Sequence, residues 1–255
     1  MINDEVTLWQ VVAAYVFALA GGVISTSLRL EHKPLCALIS FAAGTLLGVT
    51  FFAILPESVA ACPWWAVLLG LATGYALFFF ISKHVHHVCP ACAASHFDVD
   101  ATRHFSEIAT ALIVALAIHS TTDGLALGIQ GETPATEATK WSLFSALCIH
   151  KLPEGLALGS LLIGAGFTRG AALGWVAAVE ATTLLGGLIG YFFLTNISTI
   201  WLGLIMAHVG GGFFYLAAHA VLGEMVKHGK KLVLSSFALG VALIAVLNVG
   251  LRLLR

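Results

Sequence analysis

Eight apolar runs, each about twenty residues long, leave this chain very few folds to choose from. They fall at 9–28, 35–55, 64–82, 107–129, 141–165, 170–194, 199–222 and 232–254. A helix of that length crosses the roughly 30 Å hydrocarbon core of a bilayer. Inside hydrocarbon every backbone amide must be satisfied within its own segment or a closed barrel, and no alternating ten-residue strands occur here, so the runs read as helices. The chain is 59% hydrophobic and 10% charged, where an ordinary soluble domain carries about 25% charged residues. The reading is an all-α polytopic membrane protein, one transmembrane domain over 1–255 with no sizeable domain outside the lipid.

Lys and Arg are unevenly shared between the loops, which predicts orientation. The loops after spans one, three, five and seven hold Arg29, Lys33, Lys83, Arg103, Arg169, Lys227, Lys230 and Lys231, against Lys140, Arg252 and Arg255 on the other side. Both termini are therefore expected outside, in a plasma membrane. The acidic start Met-Ile-Asn-Asp-Glu lacks the basic region of a cleaved signal and reads as an uncleaved first span.

The long polar interruption, 83–106, divides three spans from five and is expected to be cytoplasmic. It gathers His84, His86, His87, Cys89, Cys92 and His96, imidazoles and thiols that suit borderline metals. Cys-x2-Cys with one following His is half a zinc site, so metal capture by this loop stands beside the reading of a solvated loop. The odd cysteine number, with Cys36, Cys62 and Cys148 scattered, predicts no disulfide framework.

Two stretches about thirty residues apart repeat one pattern, Ile118-His119-Ser-Thr-Thr-Asp123-Gly124 and Ile149-His150-Lys-Leu-Pro-Glu154-Gly155. Residues four apart share a helix face, so each stretch presents an imidazole and a carboxylate together. Ionisable groups at membrane depth cost on the order of 2.5–3.5 kcal/mol each, which makes four of them at matching depth a cation site rather than chance. Consecutive spans run antiparallel, so the repeat is inverted. A weaker echo between Phe51–Glu57 and Phe213–Glu224 extends this to three spans, a central pair, then three spans mirroring the first group, with substrate between spans four and five. Dense glycines, such as Gly21-Gly22 and Gly186-Gly187, predict close helix approach.

Neighbouring residues refine the site. Pro153 removes a donor and frees the Ile149 carbonyl, which predicts a kink. Glu180, alone in span six, needs a partner and is expected to serve as ligand or charge partner. Lys151 lies about 100° around the helix from His150 and cannot ligate while charged. It is expected to act as a tethered cation that offsets Asp123, Glu154 and Glu180. His208 and His219 in span seven are secondary candidates, and His208, near mid-span, reads as a core histidine first and a relay or gate second.

At these residues the sequence resembles the ZIP (Zrt/Irt-like) family of divalent metal transporters, carried by His119-Ser-Thr-Thr-Asp123-Gly124, His150-Lys-Leu-Pro153-Glu154-Gly155 and Gly-Thr-Leu-Leu-Gly48 leading to Leu55-Pro56-Glu57. The resemblance implies movement of zinc or a related ion toward the cytosol by a sliding transport domain. It also implies two adjacent metal positions in relatives. The second uses the Asn after the first His and an acidic residue after the second, where this chain has Ser120 and Lys151, so one metal is expected here. Glu180 looks like the acidic span-six ligand of that second position, and Ala53 stands where many members have His.

The expected cargo is Zn2+, with Cd2+, Fe2+, Mn2+ and Co2+ as chemically similar ions, and no prosthetic group. The expected partners are that ion and the bilayer, with no nucleic acid; a homodimer is compatible with the sequence. The alternative is an intramembrane zinc-dependent hydrolase, in which the metal would hold a water for attack.

Overall fold

A computed structural model describes residues 2–27, 32–84, 105–129, 137–164, 166–194, 198–228 and 230–253, and every regular element among them is helical. The helices are α1 (Ile2–Ser27), α2 (His32–Val49), α3 (Leu55–Ala61), α4 (Trp64–His84), α5 (Phe105–Gly128), α6 (Glu137–Gly164), α7 (Arg169–Phe193), α8 (Thr199–His228) and α9 (Lys230–Leu253). Among the described residues seven spans are long and apolar enough to cross a membrane, and α5, 24 residues long, runs beside them. The chain is thus an all-α polytopic membrane protein. The loop residues from His86 to His96 lie outside the described residues, as does the side chain of His84.

The second span is not one regular helix. A π-helical turn at Thr50–Ile54 joins α2 to α3, immediately before Pro56. Proline lacks the N–H that would bond back to the preceding turn, so the ladder resets there, and a π turn is one way to absorb the change. At the other proline, α6 continues as helix through Pro153 to Gly164. Beyond it Gly166, at φ 87, takes a left-handed turn, and Thr168 caps α7 by accepting from the Ala171 N–H at 3.3 Å.

Packing shows the mirror. The largest contacts are α5 with α7 and α1 with α6, followed by α2 with α9 and α4 with α8. Exchanging α1, α2 and α4 with α7, α8 and α9, and α5 with α6, turns each pair into its counterpart. Close approach is set by glycine at matching places. A Cβ on Gly155 would overlap the carbonyl oxygen of Ala18 on α1, and one on Gly124 the carbonyl oxygen of Thr183 on α7. The result is an inner group, α1, α5, α6 and α7, against a frame of α2, α4, α8 and α9.

The mirror is broken where the inner group meets the frame. α6 packs broadly on α2, whereas its counterpart α5 barely touches α8. A cavity of about 340 Å³ opens there, bounded by Leu125 of α5, Gly70 and Thr73 of α4, and Leu204 and His208 of α8. His208 Nδ1 pairs with Thr73 Oγ1 at 3.0 Å inside the frame, and His219 stacks on Tyr215. Cys36, Cys62 and Cys148 are buried, and none of the three is in a disulfide.

Candidate metal centre

His119 and Asp123 project from α5, and His150 and Glu154 from α6, each pair one helical turn apart. The glycines that follow the carboxylates, Gly124 and Gly155, draw α7 and α1 against the backs of these two helices, and the polar faces are left to meet. All four side chains are buried, none more than 5% exposed.

Their donor atoms converge. His150 Nε2 lies 3.2 Å from Asp123 Oδ2 and 3.4 Å from Glu154 Oε2, and His119 Nε2 lies 3.5 and 3.6 Å from the same two oxygens. One ligand atom from each residue falls within 4.8 Å of every other. Ligands bound about 2.0–2.1 Å from one zinc ion stand roughly 3–4 Å apart, so donors spaced like these are close enough to share a single ion. The group can hold one metal ion with two nitrogens and two oxygens.

Supporting bonds differ between the helices. His150 Nδ1 faces the Ala146 carbonyl at 3.4 Å, which favours a proton on Nδ1 and leaves Nε2 with its lone pair for a ligand. Buried His119 Nδ1 and Asp123 Oδ1 have no hydrogen-bond partner. Unpaired buried polar atoms are costly, and here they crowd around the place where a cation would neutralise the carboxylates.

Lys151 is fully buried, its Nζ 2.9 Å from each of Asp123 Oδ2, Glu154 Oε2 and Glu180 Oε2. It donates to Ser120 Oγ at 2.8 Å and to Glu180 Oε2, while Glu154 Oε2 receives no well-directed hydrogen bond despite its closeness. Ser120 in turn donates toward Glu154 Oε1 at 3.1 Å, with Glu180 Oε2 at 3.3 Å. The ammonium therefore occupies a four-oxygen nest beside the four-donor group and shares two of its oxygens. Glu180, buried on α7, belongs to this nest and stands outside the four-donor group. Three carboxylates around one ammonium leave two formal negative charges, the charge of one divalent cation.

Two residues that the sequence did not flag complete the surroundings. Phe213 of α8 lies with its centroid 6.3 Å from the His119 ring and 6.4 Å from the His150 ring, and Phe78 of α4 lies edge-on to His119 at 6.1 Å. Both are almost fully buried. An apolar residue in an apolar span gives no signal in the sequence, so only the packing reveals them.

A family model described as ZIP Zinc transporter matches residues 93–248, more than half of the chain and all seven site residues from His119 to Glu180. No curated protein matches the sequence.

Proposed function

We propose that this chain, which belongs to the ZIP zinc transporter family, carries zinc toward the cytosol by alternating access, one ion at a time, on His119, Asp123, His150 and Glu154. Family membership makes it a transporter of divalent metal ions rather than an enzyme, and the hydrolase reading finds no support. The observation that supports the zinc reading is the convergence of two imidazole nitrogens and two carboxylate oxygens, with four nitrogen–oxygen spacings of 3.2–3.6 Å. Mixed nitrogen and oxygen donors with that geometry suit Zn2+, with Co2+, Fe2+ and Cd2+ as near relatives.

Lys151 stands in for a second ion. Its Nζ sits among three carboxylates and the Ser120 hydroxyl, where a further cation would otherwise find its oxygens. Glu180 acts as the outer charge partner of that ammonium. Movement follows from the broken mirror. In the opposite state α5 closes on α8, filling the crevice at Leu125, and α6 leaves α2, so the inner group slides past the frame and takes the ion with it. The bias of Lys and Arg orients the chain in a plasma membrane with both termini outside.

Glu154→Ala tests this reading. The variant should keep its elution profile in detergent yet lose saturable Zn2+ uptake into proteoliposomes. Uptake equal to that of the unaltered protein overturns the site.

A further inference from the structure

Two phenyl rings from the frame, Phe78 and Phe213, meet the imidazoles of the four-donor group. We propose that Phe78 and Phe213 determine ion selectivity by sealing the group with two phenyl rings, so that the bound ion is held at four ligands and denied a fifth and sixth. The inference rests on the metal reading of His119, Asp123, His150 and Glu154 and adds the residues that limit what else can reach the ion.

The rings come from the frame and the donors from the inner group. Phe213 contacts both imidazoles, at interplanar angles of 78° and 60°, so it lies across the seam between α5 and α6. Phe78 meets His119 at 81°. Edge-on packing of this kind is a favourable aromatic arrangement and fixes both imidazoles as well as both phenyls. The Phe78 ring is wedged against α8, because a Cβ on Gly212 would stand 2.7 Å from Cε2 of Phe78. Only glycine beside Phe213 lets the α4 ring press so close to α8. On the far side Phe78 joins Tyr215 and Leu216 in a small buried cluster, while Phe213 joins Ala53 and Ile54 of the π-helical turn in the main core. Neither phenyl offers an oxygen or nitrogen, and Ala53 in that core is equally without a donor.

That chemistry discriminates by coordination number. Zn2+ is at ease with four ligands, whereas Mn2+ and Mg2+ favour six, mostly oxygens and water. An ion entering a phenyl-capped site must give up its waters, and the phenyls return no ligand to an ion that prefers six. Selectivity then comes from what the frame withholds as much as from what α5 and α6 supply.

Two measurements test the seal. Co2+ bound to the unaltered, detergent-purified protein should give the intense visible absorption of a four-coordinate ion, and the weak bands of a six-coordinate ion would overturn the proposal. Phe213→Asn, which brings an amide oxygen to the seam, should weaken that absorption and raise the Mn2+ to Zn2+ flux ratio in proteoliposomes by at least about tenfold. An unchanged ratio in Phe213→Asn, or in Phe78→Ser where the first variant does not insert, would overturn it too. His150→Ala separates this proposal from its foundation: Co2+ binding that survives there refutes the four-donor site itself, whereas binding lost there with the flux ratio unmoved in Phe213→Asn refutes only the seal.

Discussion

The imidazole–carboxylate claw on α5, His119 with Asp123, and the one on α6, His150 with Glu154, share their spacing and their following glycine, yet the residue after each imidazole differs, Ser120 on one and Lys151 on the other. These two mirror-related positions meet in space at 2.8 Å. One substitution in the repeat thus changes the charge at the centre of the molecule without moving any helix. The claws differ in support as well. His150 has the Ala146 carbonyl behind its Nδ1, and His119 has no partner at the same atom. An inverted repeat fixes where side chains go; the identity of the pair on the axis decides how much cation the centre still needs.

The sharpest way to break the comparison is to neutralise the odd member. Lys151→Met keeps most of the volume but leaves Asp123, Glu154 and Glu180 facing one another with no ammonium, and stripping one partner from a buried charge cluster costs about 3–5 kcal/mol. Thermal unfolding of the metal-free protein in detergent should fall steeply, and added Zn2+ should recover far more of the loss than it adds to the unaltered protein. Ser120→Ala should cost less, about 1.5–3 kcal/mol, the size of a hydrogen bond to a charged group. Equal losses in the two variants would contradict the view that charge rather than position separates the claws. Lys151→Asp should raise the bound metal from one ion to two per chain, measured on protein washed free of loose ion.

A smaller effect sharpens what the claws have in common. Gly155→Ala and Gly124→Ala would each drive a methyl into a facing carbonyl oxygen, of Ala18 or Thr183. Such overpacking costs about 1–3 kcal/mol, and the mirror requires similar losses from both. A cost confined to Gly155→Ala would show that only the α1–α6 contact is tight, and the repeat would be one of sequence more than of packing.

Much of this was legible in the sequence because the membrane simplifies the problem. Span lengths follow from bilayer thickness, and four ionisable residues at matching depth in apolar runs stand out against their surroundings. The repeat around His119 and His150 pointed to an inverted central pair, and the weaker echo between Phe51–Glu57 and Phe213–Glu224 extended it to the mirrored order of helices. Azimuth was not legible. In lipid the outward face and the core face are both apolar, so Phe213, buried against the imidazoles, and Phe214, 40% exposed beside it, look alike in sequence. Pro153 and Pro56 look alike too, yet the irregular turn precedes Pro56 in the second span while α6 continues through Pro153. Glu180 was readable as needing a partner, but that it reaches the Lys151 ammonium and stands clear of the imidazoles depends on how α7 packs against α5.

The smallest expected effect concerns the boundary between the inner group and the frame, where the mirror fails. Asn248 of α9 donates to Ser142 Oγ of α6 at 3.2 Å, and Ser142 itself donates to the Ala138 carbonyl. The mirror-related helices α4 and α5 make at most slight contact. If α6 must leave the frame when α5 closes on α8, this hydrogen bond must break, and it holds the present arrangement by about 0.5–1.5 kcal/mol. Asn248→Val keeps the bulk and removes the donor without orphaning Ser142. It should shift the population toward the closed crevice by up to about tenfold, so that a cysteine placed at Leu204 is labelled more slowly while zinc affinity stays the same. Unaltered labelling together with unaltered flux would mean that the bond is local packing, and that the unequal contacts of α5 and α6 are held by apolar surface alone.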